Sequence, residues 1–182
     1  MNNEFRVVHT EPLLESYVFD VERRTVSQGG STFARDVVTH RGAVAVLAVD
    51  DNGLIGLIRQ YRAPFDRYVL EIPAGTLDVP DEQPRDAAQR ELLEELGCEA
   101  TSWTLLGRFM VSPGWTDQVM IIYEARGLSV GTRSPEGPEE SSSEVLWRSA
   151  DELRAELQAE GVADSTLVLA LHRVFGTFFD LA

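Results

Sequence analysis

Apolar and polar positions alternate through residues 4–39, the period of strands with one covered face. Tyr17–Glu22 and Thr32–Thr39 carry the alternation, and Gly29-Gly30 supplies the turn between them, so short antiparallel strands are expected here. From Gly42 to Val49 the alternation gives way to a nearly continuous apolar run, which fits a buried central strand. Asp51, Asn52 and Gly53 make a tight turn into a hairpin partner, Leu54–Tyr61. Further strands are predicted at Tyr68–Ile72, Leu105–Met110 and Gln118–Glu124. After Pro84 the period changes: Ala88, Leu92 and Leu96 recur four apart, the buried stripe of a helix. Pro84 suits its first turn and Gly97 the left-handed residue past its end. Ala150–Glu160 and Asp164–Phe175 read as two more helices, and Gly127–Ser143 reads as a polar loop. Strands around a helix, with more helices at the end, fit a mixed sheet covered by helices, either α/β or α+β.

The first of these helices also carries three glutamates. Glu91 and Glu95 are four apart and Glu94 lies three from Glu91, so the carboxylates are neighbours on one surface. Like charges at that spacing destabilise a helix by roughly 0.2–0.5 kcal/mol per pair. Such a cluster is most often a solvated face. The alternative is a site for a hard divalent cation, which prefers oxygen ligands and, in the case of Mg2+, takes one or two carboxylates with water and substrate phosphates.

Charge narrows the possible partners. The chain has 182 residues, 30 acidic against 16 basic, for a net charge of −14. A field of that sign disfavours nucleic acid and anionic membrane surfaces. Lysine is absent. Schiff-base chemistry and a Walker-type phosphate loop are thereby excluded, and arginine forks or metal ions are left to meet phosphate. A single cysteine, Cys98, reads as a packing residue, and His9, His40 and His172 have no metal-ligand spacing. No apolar run approaches the roughly 20 residues needed to span a bilayer, and no secretory pattern opens the chain, so a cytoplasmic protein is expected.

The complete spacing around the glutamates resembles the Nudix hydrolase signature, GX5EX7REUXEEXGU, with U a bulky apolar residue. Glu82, Arg90, Glu91, Leu92, Glu94, Glu95, Gly97 and Cys98 fall into its helical part, whereas six residues rather than five separate Gly75 from Glu82. Asp78, Pro80 and Asp81 are turn formers, so the extra residue reads as a lengthened loop. Further segments resemble the ADP-ribose pyrophosphatase branch of that family: Gln60-Tyr61-Arg62, Glu71 to Gly75, and Ser112-Pro113-Gly114, with Pro113 sixteen residues past Gly97.

The resemblance implies an αβα sandwich with a mixed sheet, residues 41–182 forming the Nudix domain. An N-terminal antiparallel sheet over residues 1–40 would build a homodimer, although intramolecular packing is the simpler physical alternative. It implies a Mg2+-dependent enzyme, with Mn2+ as an alternative ion. The expected activity is cleavage of the pyrophosphate of a nucleoside diphosphate compound, with ADP-ribose yielding AMP and ribose 5-phosphate. An NDP-sugar such as an ADP-sugar or GDP-mannose is the competing substrate, and a nucleotide-sensing module without turnover is the competing class. Metal ligands would be Glu91, Glu94, Glu95 and the carbonyl of Ala74. Arg90 would orient a box glutamate, with Glu82 the candidate, or contact phosphate directly. Glu140 is chosen as the loop base by its distance from Trp147, with Glu139 and Glu144 as rivals. Arg62 would grip the diphosphate. Arg35, Pro113 and Trp115 are candidates for substrate contact, against the readings of an exposed strand arginine, a simple turn and a buried tryptophan. Gln118 stands where many relatives carry an acid, which weighs against strict specificity for ADP-ribose.

Overall fold

Seven consecutive residues with almost no solvent contact, Ala43–Val49, form strand β4 and set the frame for the rest. The computed structural model describes residues 4–176. Strands β5 (Ile55–Arg62), β6 (Arg67–Glu71), β7 (Ala74–Thr76), β8 (Cys98–Met110), β9 (Val119–Val130) and β10 (Glu144–Arg148) join β4 in a seven-stranded sheet. Its order is β10-β5-β4-β9-β8, with β6 paired to β5 and β7 paired to β4. Before it lie β1 (Arg6–Glu15), β2 (Phe19–Gln28) and β3 (Ser31–His40), an antiparallel three-stranded sheet in sequence order.

These first strands are ten residues each, longer than the alternation alone predicts. Polar residues that interrupt the apolar pattern pair across the ladder instead: Arg23 lies opposite Asp36 and donates to it at 2.7 Å. Gly29 and Gly30 turn the chain with φ of 58° and 88°, the positive values that a two-residue hairpin of primed type requires.

Helix α1 (Pro84–Leu96) buries Ala87, Ala88, Leu92 and Leu96 and packs against β5 and β7. Proline opens it, and Gly97, at φ 68°, closes it by donating its N–H to the Leu93 carbonyl at 2.9 Å. Helix α3 (Ala150–Glu160) starts with a reciprocal cap between Ser149 and Glu152, buries Leu153 and Leu157, and packs on β10. Helix α4 (Ser165–Phe175) is capped by Asp164, which accepts from the Leu167 N–H at 2.6 Å, and buries Leu167, Ala170 and Leu171.

The sheet departs from expectation at its margins. β8 begins at Cys98 rather than Leu105, and as the last strand in the order it is mostly exposed, so its first half lacks an apolar run. β9 continues to Val130 and a short helix, α2 (Gly137–Ser141), interrupts the rest, which leaves the predicted loop of residues 127–143 much shorter. β7, at three residues, is too brief to show a period, and β10 follows directly on the polar segment that holds α2. The described chain forms two compact units: the residues up to Ala43 with Phe109–Met120, and Val44–Arg108 with the residues from Ile121 onward.

Leu92 is fully buried and holds α1 to the sheet. Leu92→Ala should cost about 2–5 kcal/mol in urea denaturation. A loss below about 1 kcal/mol would mean that α1 is not fixed by this packing.

Candidate active site

Helix α1 presents its glutamates inward as well as its leucines. Glu91 and Glu95 are 6% and 2% exposed, part of the buried face rather than a flank beside it. Their closeness to the backbone explains Gly75. A Cβ at that position would lie 1.9 Å from Glu91 Oε1, so no side chain can replace the glycine hydrogen while Glu91 stays where it is.

Arg90 organises the cluster. Its Nη1 donates to Glu91 Oε1 at 2.7 Å and to Glu94 Oε2 at 3.0 Å, while Nε and Nη2 each reach Glu82 at 3.2 Å. The extra residue before Glu82 is absorbed by a turn in which Glu82 N–H donates to the Val79 carbonyl and Asp81 adopts φ 62°. The ion pair to Glu82 is therefore made despite the longer loop. Glu95 turns the other way and accepts from the Ala74 N–H at 2.8 Å.

Burial controls the electrostatics. Desolvation pushes the Glu91 carboxyl up to about 7, against the attraction of Arg90, and the Glu95 carboxyl up to about 8, against the Ala74 hydrogen bond. Repulsion from Glu94 adds at Glu91, and repulsion from Glu91 and Glu140 adds at Glu95. Glu94 is raised as well, chiefly by burial. Among the described residues no three acidic, histidine or cysteine side chains already converge as a metal would gather them. The donor set still fits a hard dication: adjacent carboxylates, short of solvent and raised by burial, are hydrogen-bonded by the Arg90 guanidinium and the Ala74 amide, with Arg62 acting on Glu95 through its charge.

The three loop acids occupy different settings. Glu140 lies in α2 and its charge is felt at Glu91, Glu94 and Glu95. Its carboxylate accepts from the Glu136 N–H at 2.7 Å. The charge of Glu139 acts instead on Tyr61 and Arg62. Glu144 pairs opposite Arg59 in β10. Arg62 is gripped by Glu71, with Nε at 2.9 Å and Nη2 at 2.6 Å, and Gln60 Nε2 reaches the same carboxylate at 3.0 Å. Glu71 had no role assigned from sequence. Its signal was available, since Gln60 and Arg62 alternate on β5 and face one way beside a strand that ends in an acid.

The remaining candidates belong to the other unit. Arg35, Pro113 and Trp115 line one hollow of about 440 Å3 with Arg24, Val37 and Asp117. Ser112, Pro113 and Gly114 do form a turn, in which Trp115 N–H donates to the Ser112 carbonyl at 3.1 Å. Trp115 is 55% exposed, which removes the reading of a buried tryptophan. The Arg35 guanidinium sits 4.5 Å over the Phe33 ring and donates to the Ala34 carbonyl. Gln118 donates its N–H to Thr116 Oγ1, and the neighbouring acid, Asp117, accepts from the His40 N–H and from Arg24.

A NUDIX domain model matches residues 39–169. The chain belongs to the Nudix family. It is similar to an ADP-ribose pyrophosphatase of Mycobacterium tuberculosis, 38% identical over 176 residues that span 94% of this chain and 85% of that one. It is also similar to a methanol dehydrogenase activator of Bacillus methanolicus, 33% identical over 92% of this chain and 91% of that one. Among solved structures, an ADP compounds hydrolase superposes with a TM-score of 0.83 at 25% identity, covering 96% of this chain and 94% of that one. The protein is thus a Nudix hydrolase with the mixed-sheet α/β fold of that family, and Nudix hydrolases generally use a divalent cation. No helix among the described residues is long and apolar enough to cross a membrane.

Two outcomes test the geometry. Gly75→Ala should expel the Glu91 carboxylate and weaken divalent-ion binding at least about 10-fold by calorimetry; unchanged affinity would separate Gly75 from the site. Because folding raises both carboxyls above their ordinary value of 4.5, the metal-free protein holds more protons than its unfolded chain between about pH 4.5 and 8. Stability from these groups is present below that window and lost as pH rises through it. Glu95→Gln should flatten the decline, and a pH profile identical to that of the parent would refute the assignment.

Proposed function

We propose that this Nudix hydrolase cleaves the pyrophosphate bond of ADP-ribose, releasing AMP and ribose 5-phosphate, with Mg2+ as its cofactor and Mn2+ able to substitute. The observation that carries the chemistry is the pair of desolvated carboxylates on α1, Glu91 and Glu95, raised by burial and adjacent to Glu94. The substrate choice is supported by the relative named for ADP-ribose and by the structural neighbour named for ADP compounds.

Glu91, Glu94, Glu95 and the Ala74 carbonyl would hold the cation. When bound, such an ion offsets charge on the phosphoryl oxygens and lowers the pKa of the attacking water. Arg90 fixes the directions of Glu91 and Glu94 and leaves direct phosphate contact to Arg62. The bonds of Arg62 to Glu71 use Nε and Nη2, so Nη1 is available to a phosphoryl oxygen. Glu140 accepts the proton of the attacking water as the new O–P bond forms and the bridging P–O bond breaks. For this its carboxylate leaves the Glu136 N–H, a local change within a short helix. Substrate contact is also proposed for Arg35, Pro113 and Trp115, which line their own hollow.

We further propose a cytoplasmic homodimer built through the region of residues 1–40. β1 is exposed along its whole length, and Phe5, Val7, Val8, Leu13, Leu14 and Tyr17 present apolar surface, Tyr17 at 88% exposure. An apolar edge strand of this kind calls for a partner.

Chromatographic assay of the nucleotide products formed from ADP-ribose, NADH, GDP-mannose, dNTPs and diadenosine polyphosphates, with and without Mg2+, decides the substrate. ADP-ribose should give the highest kcat/KM, only with metal. Preference for GDP-mannose would move the assignment to an NDP-sugar, and binding without turnover on every compound would favour a sensing module. Glu95→Gln should lower kcat at least about 100-fold. Of Glu139→Gln, Glu140→Gln and Glu144→Gln, only Glu140→Gln should reduce kcat by about 100-fold or more. Equal small effects would remove this loop from the mechanism.

A further inference from the structure

A half-buried connection links the end of α1 to the α2 segment. The carbonyls at the end of α1 lack intrahelical partners and carry the negative end of the helix dipole. The segment after β9 supplies donors to them in succession. Gly131 N–H reaches the Gly97 carbonyl at 2.7 Å, Arg133 Nε reaches the Glu95 carbonyl at 2.7 Å, and Ser134 N–H reaches the Glu94 carbonyl at 3.2 Å. Arg133 then extends its other arm into the α2 segment. Its Nη2 donates to the Glu140 carbonyl at 2.9 Å and to Ser143 Oγ, and Ser143 Oγ donates in turn to the Glu140 carbonyl at 2.8 Å.

One guanidinium therefore joins the backbone of a metal-ligand candidate to the backbone of the base candidate. The fit is close on both sides. A Cβ at Gly131 would meet Leu93 Cδ1 at 2.6 Å, and a Cβ at Gly97 would meet the Arg133 backbone N at 3.1 Å. In a chain with 30 acidic residues against 16 arginines, the bonds of Arg133 go to two neutral carbonyls and a hydroxyl. A planar fork can bridge the two carbonyls in a fixed direction, which a lysine point charge cannot do.

We propose that Arg133 is a positioning residue that fixes the main chain of Glu140 to the C-terminal end of the glutamate helix. The carboxylate of Glu140 is left free to swing while its Cα stays in place. Arg133 acts through Glu140 in this role, so the inference rests on the reading of Glu140 as the base.

A double-mutant cycle separates the two claims. Arg133→Met, Glu140→Gln and the double variant are assayed with ADP-ribose at saturating Mg2+, alongside Mn2+ affinity by electron paramagnetic resonance and thermal midpoints. Arg133→Met should lower kcat about 10- to 100-fold. KM and Mn2+ affinity should stay within about twofold, and methylguanidinium in the buffer should restore part of the rate. The double variant should be no slower than Glu140→Gln alone. Losses that multiply would overturn the positioning role while leaving Glu140 as base. A Glu140→Gln enzyme of near-parental rate would instead overturn the base assignment, and the positioning role with it. Should Arg133→Met fail to fold, Ser143→Ala carries the same cycle with a smaller loss, and multiplying losses there overturn the proposal equally.

Discussion

Two carboxylates held almost out of water on a packed helix are the constraint from which the other features follow. Glu91 and Glu95 immediately precede Leu92 and Leu96, so the residues that seat α1 on the sheet also deny the acids their solvent. Removing charge from water is costly unless it is neutralised, and the protein answers partly with Arg90 and the Ala74 N–H and partly by raising the carboxyl pKa values. On the proposed reading, a divalent ion would complete the neutralisation that the Arg90 guanidinium begins. The position of Gly75 belongs to the same account, because Glu91 occupies the space that any side chain there would fill.

Around that centre the acidic chain spends its arginines selectively. Arg90 serves Glu82, Glu91 and Glu94, Arg62 is anchored by Glu71, and Arg133 binds backbone carbonyls. Each guanidinium is oriented by its fork geometry, so none is a loose surface charge. Without lysine, every fixed cationic side-chain contact to phosphate must come from arginine.

Much of this was legible in the chain because it is local. The unbroken apolar run of β4, the proline and glycine that bound α1, and the spacing of Arg90, Glu91, Glu94 and Glu95 all depend on neighbours within a few residues. What was hidden depends on partners far along the chain or on backbone atoms. The first half of β8 is half-exposed at the end of the sheet order and resembles coil in its composition. β7 and α2 are shorter than a readable period. Gln60 and Arg62 alternate on β5 and so signal a shared face, but that Glu71 is their partner is fixed by the pairing of β5 with β6. Arg133 sits in a segment that reads as a solvated loop, and its partners are carbonyls, which leave no trace in residue identity.

If the glutamates of α1 hold the cation, their buried, partly protonated carboxyls surrender protons as the dication binds. Calorimetric titration of Mg2+ into the metal-free protein at pH 7, repeated in buffers of different ionisation enthalpy, counts the protons released. With carboxyls near 7 and 8, between about one and two protons should leave per protein as metal binds, and fewer in Glu95→Gln. Binding with no proton release, the same in parent and variant, would show that the ion sits elsewhere and would contradict the account.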